Sequence, residues 1–98
     1  MVVARRHVEN VSDLARDEWE RIAAVQQRAE RALLELAPAD RAIVMKLGLA
    51  VPHLHLHIYP VASSLDRAAV MRIVDGATRE PRDERFVATL RMAMANAV

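Results

Sequence analysis

Three of the four histidines in this chain stand at alternate positions, at His53, His55 and His57. Successive side chains of a β-strand point to opposite faces, so these three imidazoles are predicted to share one face of a strand. The residues between them, Leu54 and Leu56, share the other face and are expected to pack under helices. A row of imidazoles is costly to bury without a use, so the spacing indicates a functional site.

Imidazole side chains in a row are suited to phosphoryl or nucleotidyl transfer. Because the ordinary histidine pKa is near 6.5, one ring can be a neutral nucleophile at pH 7 while a neighbouring ring carries a proton. A nucleophilic ring can attack phosphorus and form a covalent intermediate, which splits one difficult displacement into two. The flanking rings can stabilise charge on the phosphate oxygens and protonate the leaving group.

A metal site is the alternative use of such a row. Residues two apart in a strand are separated by about 6.6 Å, so the outer pair of rings starts about 13 Å apart. Zinc–nitrogen bonds are only about 2.0–2.1 Å long, so the outer rings would strain to reach one ion. Two of the rings could share an ion with help from elsewhere, although the chain has no cysteine. A histidine-rich metal-binding protein therefore stays open as an alternative.

The apolar periodicity predicts an α+β fold, with an antiparallel sheet, a long helix and two C-terminal helices. The predicted elements are strands at 2–4, 42–47 and 51–61 and helices at 14–36, 65–75 and 83–95. Ser12 and Asp13 are expected to start the long helix, and Ser63 or Ser64 to cap the next one. Gly76 is expected to end that helix as its C′ residue.

The composition is that of one globular domain over residues 1–98, with a motif-bearing core at 1–61 and a helical extension at 62–98. Apolar residues make up 53% of the chain and charged residues 28%, which excludes a disordered chain. The net charge of +1 gives no strong field for nucleic acid or anionic lipid. No apolar run approaches the roughly 18 residues of a membrane span, so we expect a cytoplasmic protein.

The histidine run and its surroundings resemble the signature of the histidine triad (HIT) family, in which three histidines alternate with apolar residues. Upstream, Arg5 and Arg6 followed by His7 resemble the basic pair and further histidine at the end of a family strand. The resemblance covers roughly residues 2–61. It implies a HIT-like domain that is shortened at its N-terminus, because family members carry further elements before the strand that begins here at Val2.

The resemblance also implies an activity. HIT proteins are mostly nucleotide hydrolases or transferases that act at the α-phosphate, such as phosphoramidases and dinucleoside polyphosphate hydrolases. They need no metal or other cofactor and are usually homodimers. By resemblance, His55 is the nucleophile, His53 orients the site, His57 contacts the phosphate, and His7 supports them from the neighbouring strand. His53, His57 and Arg6 are then expected to bind a nucleotide or a nucleoside phosphate conjugate.

Several positions depart from the family pattern and support a second interpretation. Ile43, Leu49 and Val51 stand near places where family members commonly carry polar residues. A degenerate HIT module that binds nucleotide or a protein partner with little turnover is therefore a further alternative. Tyr59, which occupies an apolar position of the motif, is expected to pack.

Overall fold

The structure is a computed structural model that describes residues 1–46, 51–76 and 83–96. Within these residues the chain forms strands β1 (Val2–Val3), β2 (Arg41–Met45) and β3 (His55–Val61) and helices α1 (Arg16–Leu36), α2 (Arg67–Val74) and α3 (Glu84–Asn96). The three strands form an antiparallel sheet, which confirms the predicted α+β class with a long helix and two C-terminal helices. None of the described helices combines the length and the apolar character that crossing a bilayer requires.

The strand that carries the histidines lies in the middle of the sheet, whose order is β1-β3-β2. On one side Val3 pairs with His55, and on the other side Met45 pairs with His57. Residues directly opposite each other in an antiparallel pair have side chains on the same face. The central strand therefore has a backbone partner on each side where the histidines are held.

Helix α1 begins two residues later than the sequence predicted. Ser12 and Asp13 belong instead to a short 3-10 turn at Val11–Asp13, in which the Asn10 N–H donates to the Asp13 carboxylate at 3.0 Å. The helix proper starts after Ala15, whose N–H donates to the Glu18 carboxylate at 2.9 Å. Glu18 is the third residue of the helix, and its carboxylate satisfies the N–H of the N-cap residue, which is one of the two bonds of a capping box.

The helix α1 packs on all three strands and on α3. Its predicted apolar residues Trp19, Ile22 and Leu33 are half-buried, while Ala32 is buried. The helix ends at Leu36, two residues before Pro38, because proline cannot continue the backbone hydrogen bonding. The long helix thus covers one face of the sheet and leaves the other face to the histidines.

The best-buried cluster lies directly beneath the histidine run. Leu54 is 2% exposed and packs with Ala4 and Val8, and the half-buried Ile22 of α1 contacts the same cluster. Leu56 is also buried, which confirms that the residues between the histidines pack inward. Burying one such leucine contributes about 1.5–3 kcal/mol, so this core fixes the orientation of the histidine strand.

The ends of β2 and β3 are joined by a carboxylate. The Asp40 side chain accepts hydrogen bonds from the Ser63 N–H at 2.6 Å and the Ser63 hydroxyl at 2.5 Å. These two bonds hold the pKa of the Asp40 carboxyl below its usual range, and the bond from the hydroxyl is the larger cause. Because Ser63 is committed to Asp40, it does not cap the following helix, and the predicted serine cap is wrong.

The cap of α2 is Asp66, whose carboxylate accepts from the Ala69 N–H at 2.8 Å. At the other end Gly76 adopts a φ of 78° and its N–H donates to the Ile73 carbonyl at 3.0 Å. This left-handed conformation favours glycine, so the predicted C′ role of Gly76 is confirmed. Helix α3 starts after Asp83, whose carboxylate accepts from the Phe86 N–H at 3.0 Å.

Candidate active site

The histidine strand is shorter than predicted, because β3 begins at His55 and His53 precedes it. The backbone of Leu54 bonds instead to the segment that follows β1. The Ala4 N–H donates to the Leu54 carbonyl at 3.1 Å, and the Leu54 N–H donates to the Val8 carbonyl at 2.7 Å. The prediction of one continuous strand over 51–61 is therefore wrong for His53, which is positioned by this segment rather than by a strand ladder.

The four histidines form two ring pairs. The His7 and His53 rings have centroids 5.3 Å apart and cross at 72°, while the His55 and His57 rings are 5.0 Å apart and cross at 78°. His53, His55 and His57 are half-buried, and His7 is exposed. His7 lies beyond the end of β1, so its predicted position on a neighbouring strand is wrong, although it does reach His53. The predicted histidines are thus brought together pairwise.

Two short hydrogen bonds fix which ring nitrogens carry hydrogen. The His55 Nδ1 lies 2.6 Å from the His53 carbonyl oxygen, and the His53 Nε2 lies 2.6 Å from the Ala4 carbonyl oxygen. A carbonyl oxygen can only accept, so each of these nitrogens must be the donor. In the neutral rings the lone pairs are therefore left on Nε2 of His55 and on Nδ1 of His53.

The His57 ring is biased towards its neutral form. Burial lowers its pKa below 6.5, and the positive charges of a protonated His55 and of the Met1 α-amino group lower it further. His57 is consequently uncharged at neutral pH in the absence of ligand. The pair of His55 and His57 therefore includes a ring that is uncharged at neutral pH.

Tyr59 extends the histidine face by one further position. Its ring stacks on His57 with centroids 5.8 Å apart and an angle of 15° between the planes. Across the sheet Tyr59 pairs with Ile43 of β2, just as His57 pairs with Met45. Sequence reasoning missed this contact, although the alternation that joins positions 53, 55 and 57 continues to 59.

Arg6 is held at the start of α1. Its guanidinium donates to both carboxylate oxygens of Glu18, at 3.0 and 3.1 Å, and to the Asp13 carbonyl at 3.0 Å. This bidentate pair lowers the pKa of the Glu18 carboxyl, with the Ala15 N–H as a second cause. The pair anchors the residue immediately before His7, while the predicted role of Arg6 in binding substrate stays a prediction.

A groove of about 510 Å³ lies between β1 and the first half of α1. It is lined by Val2, Val3, Ala4, Arg5, Arg6, Leu14, Glu18, Arg21, Ile22 and Val25. The four histidines do not line it, so this groove and the cluster of reactive groups are separate features. We place the candidate chemistry at the histidines, because the groove contains arginine and glutamate already engaged with each other.

The arrangement of the histidines bears on the metal alternative. Within the described parts of the chain, no group of three or more histidine, aspartate or glutamate side chains is arranged to hold a metal ion. His53 and His55 each use one ring nitrogen to donate a hydrogen bond to a carbonyl oxygen, so each ring has a single nitrogen left to bind a metal ion.

The structure thus combines an antiparallel sheet, whose central strand carries His55 and His57, with a long helix packed on the sheet. The sequence model of the HIT domain matches residues 1–63, which span β1 to the end of β3 and include all four histidines. The chain therefore belongs to the HIT family, whose members are generally nucleotide hydrolases or transferases. A comparison with curated proteins gives no significant match. Helices α2 and α3 follow the matched region.

Proposed function

We propose that this protein is a nucleotide hydrolase or transferase that acts at the α-phosphate, with His55 as the nucleophile. The hydrogen bond of 2.6 Å between His55 Nδ1 and the His53 carbonyl oxygen carries the proposal. It selects the tautomer whose Nε2 is unprotonated, and a fixed tautomer is what a histidine nucleophile needs. His53 supports the same geometry twice, through this carbonyl and through its ring, which donates to Ala4.

The reaction proceeds in two displacements. Nε2 of His55 attacks the α-phosphorus, a P–N bond forms, and the bond from phosphorus to the leaving group breaks. The leaving group departs with the electron pair of that bond and receives a proton from His57. A water molecule, or another acceptor in a transferase, then attacks the phosphorus, breaks the P–N bond and releases the nucleotide. The proton of the attacking water returns to the histidine pair.

His57 is suited to this proton transfer by its position 5.0 Å from His55. Its lowered pKa favours an uncharged His57 ring in the ligand-free protein. An arriving phosphate anion raises the pKa again, because an opposite charge nearby favours the protonated ring. Substrate binding therefore favours the uptake, by His57, of a solvent proton that the ring then passes to the leaving group.

Arg6 retains capacity for a phosphate. Its guanidinium has five N–H donors, of which Glu18 and Asp13 receive three. The remaining two are on Nη1, so Arg6 can contact an anion without giving up its carboxylate. We propose His53, His57 and Arg6 as substrate-binding groups on this basis, with His7 as a support for His53.

The test is a metal-free incubation, with chelator present, of the protein with an adenosine phosphoramidate and with a dinucleoside polyphosphate. We expect release of adenosine monophosphate and, after rapid acid-free quenching, a nucleotidyl adduct on the His55 peptide by mass spectrometry. His55→Asn should remove adduct and turnover, because each ~1.4 kcal/mol of lost transition-state stabilisation is tenfold in rate and a missing nucleophile costs several. An unchanged melting curve controls for folding, and full activity in this variant would refute the mechanism.

A second candidate is a HIT-fold module that binds nucleotide or a protein partner with little turnover. The engagement of Arg6 by Glu18 and Asp13 favours it, because most of the guanidinium already serves the fold. The same incubation separates the two functions. A module would shift its histidine ring signals when adenosine monophosphate is added, yet it would give neither adduct nor product.

We propose further that the protein acts as a homodimer. Val3 on one edge strand is 49% exposed and Val44 on the other is 39% exposed. Exposed apolar side chains on edge strands favour association. Val44 lies opposite Ile58, on the face of the sheet that α1 covers. Val44 and the half-buried side of α1 that carries Trp19 therefore suit a two-fold interface on the order of 2,000 Å². Sedimentation at micromolar concentration tests this, and a stable monomer would refute it. The cytoplasmic location stays a prediction.

A further inference from the structure

Tyr59 and His57 form the flattest ring contact on the histidine face. The planes of the two rings differ by 15°, whereas the His55 and His57 rings cross at 78°. The His57 ring thus has an imidazole neighbour on one side along the strand and a phenol neighbour on the other. Aromatic pairs with centroids between about 4.5 and 7 Å attract in an offset stack of this kind.

The position of Tyr59 is itself fixed from two directions. Its backbone lies within the β2–β3 ladder, where Ile43 is its direct partner. Aromatic and β-branched side chains opposite each other stabilise an antiparallel pair. Tyr59 is half-buried and so has few rotamers that avoid Ile43 and His57 together. Tyr59 therefore has a cross-strand neighbour at Ile43 and a stacked neighbour at His57.

We propose that Tyr59 is a positioning residue for His57. The Tyr59 ring stacks on the His57 ring and holds it at the angle at which it contacts the His55 ring. The catalytic consequence rests on the proposed function, since it matters only if His57 passes a proton during transfer. The positioning itself is independent of that function, because it concerns two rings of the ligand-free protein. An apolar side chain at 59 would bury as well but would leave the His57 ring free to rotate.

Tyr59 also affects the charge that His57 can carry. The groups around His57 are Met45 across the ladder, which does not ionise, His55 on the same strand, and the charged Met1 α-amino group. Both ionisable neighbours disfavour a protonated His57. The face of a phenol ring carries negative potential and attracts a cation within about 6 Å, so Tyr59 favours the protonated form. Removing the ring should therefore make His57 harder to protonate.

The first experiment needs no substrate. In the unaltered protein, two-dimensional NMR should show nuclear Overhauser effects between the ring protons of Tyr59 and His57. Titration followed by long-range ¹H–¹⁵N spectra should give a lower pKa for His57 in Tyr59→Ile than in the parent protein and Tyr59→Phe. Isoleucine is chosen because it keeps strand propensity and burial. Val44→Ala, on the opposite face of the same sheet, is the matched control and should leave the His57 signals unchanged.

The second experiment uses the adenosine phosphoramidate assay over a range of pH. Tyr59→Ile should reduce kcat about two- to tenfold, in the range expected for one lost aromatic pair. It should also move the alkaline limb of the rate profile to lower pH, because His57 must be protonated to serve the leaving group. Tyr59→Phe should restore both values, because the stacked ring remains and only the hydroxyl is lost. KM should change less than kcat, because Tyr59 acts through His57 and not on the substrate.

The outcomes separate this inference from the proposed function. Absence of turnover in the parent protein overturns the function, and the NMR titration then still decides the positioning. The absence of ring contacts between Tyr59 and His57 in the parent protein overturns the positioning even if Tyr59→Ile fails to fold. An unmoved His57 titration in folded Tyr59→Ile also overturns it, as does a Tyr59→Phe variant as impaired as Tyr59→Ile, since the hydroxyl would then carry the effect.

Discussion

The two histidine pairs have similar ring geometry but are held in different ways. His55 and His57 lie on β3, and the backbone ladders to Val3 and Met45 fix their positions. His53 and His7 lie outside the strands and depend on a few contacts that cross the chain, such as the bond from the His53 ring to the Ala4 carbonyl. The pair proposed to react is thus built on regular structure, and the pair proposed to support it is built on an irregular segment.

This difference has a physical consequence for robustness. Many backbone hydrogen bonds hold a strand within a β-ladder, so the loss of one side chain leaves the strand in place. The irregular segment has fewer such bonds, because two backbone bonds to Leu54 and the bond from the His53 ring to Ala4 determine its path. Changes near His7 and His53 should therefore disturb the supporting pair alone, whereas changes in the common core should disturb both pairs.

The largest effect is expected from Leu54→Ala. The Leu54 side chain is 2% exposed, and truncation of a buried leucine costs about 2–5 kcal/mol. Because this side chain lies beneath both histidine pairs, the free energy of unfolding should fall and the ring signals of all four histidines should shift. Urea denaturation and histidine NMR measure the two effects. Met92→Ala, at a site that is 67% exposed, is the control and should change neither.

A smaller and more local effect is expected from His53→Leu. This change removes the donor to the Ala4 carbonyl, and a hydrogen bond of this kind contributes about 1 kcal/mol net. The His7 ring should lose its neighbour, while the contact between the His55 and His57 rings persists because the ladder holds it. Nuclear Overhauser effects among the remaining rings measure this. Equal disturbance of His55 and His57 would show that the two pairs are one cooperative unit.

His57, in the pair with His55, should make the free energy of unfolding depend on pH. The pKa of His57 is lowered in the folded protein, so between about pH 6.5 and this lowered pKa the unfolded chain binds more protons. The contribution of His57 to the free energy of unfolding is therefore fully present above pH 6.5. It is lost as the pH falls through the pKa that His57 has in the folded protein. We expect a smaller loss of urea midpoint on going from pH 7.5 to pH 5 in His57→Gln than in the parent protein. Equal losses would mean that other groups carry the dependence.

The smallest effect is expected from the exposed pair of Arg6 and Glu18. Arg6→Gln and Glu18→Gln, alone and combined, should show a weak coupling that diminishes with salt, because exposed ion pairs are screened. The coupling should also vanish in acid, since Arg6 lowers the pKa of Glu18 and protonation of Glu18 ends the pair. Altered His7 signals in both single variants, with His55 and His57 unchanged, would support the separation of the two pairs.

The local sequence pattern was enough to predict the placement of His55 and His57, the pair proposed to react. Alternation of histidine and leucine placed His55 and His57 on one face of a strand, and Leu54 and Leu56 on the buried side. Both conclusions depend only on the geometry of a strand and on burial of apolar side chains. The α+β class followed in the same way from the periodicity of the longer segments.

The supporting half was less predictable because it depends on contacts between distant residues. No local pattern indicates that the Leu54 N–H bonds to Val8 or that Glu18 binds Arg6, twelve positions away. The failed serine cap has the same origin, since Ser63 is bound to Asp40, which lies 23 positions earlier, just before β2. Hydrogen-bond partners that are distant in the sequence compete with local capping preferences, and the sequence alone does not show which of the two prevails.

Leu54 gives both of its backbone groups to one short stretch of chain, accepting from Ala4 and donating to Val8. The first residues of a chain commonly fray one at a time unless they are tied down. Here Val8 cannot leave without freeing the N–H of the best-buried residue, and Ala4 cannot leave without freeing its carbonyl. Release of the N-terminal stretch is therefore a single cooperative opening that exposes the core, and protease cleavage there should report on that opening rather than on a loose chain end.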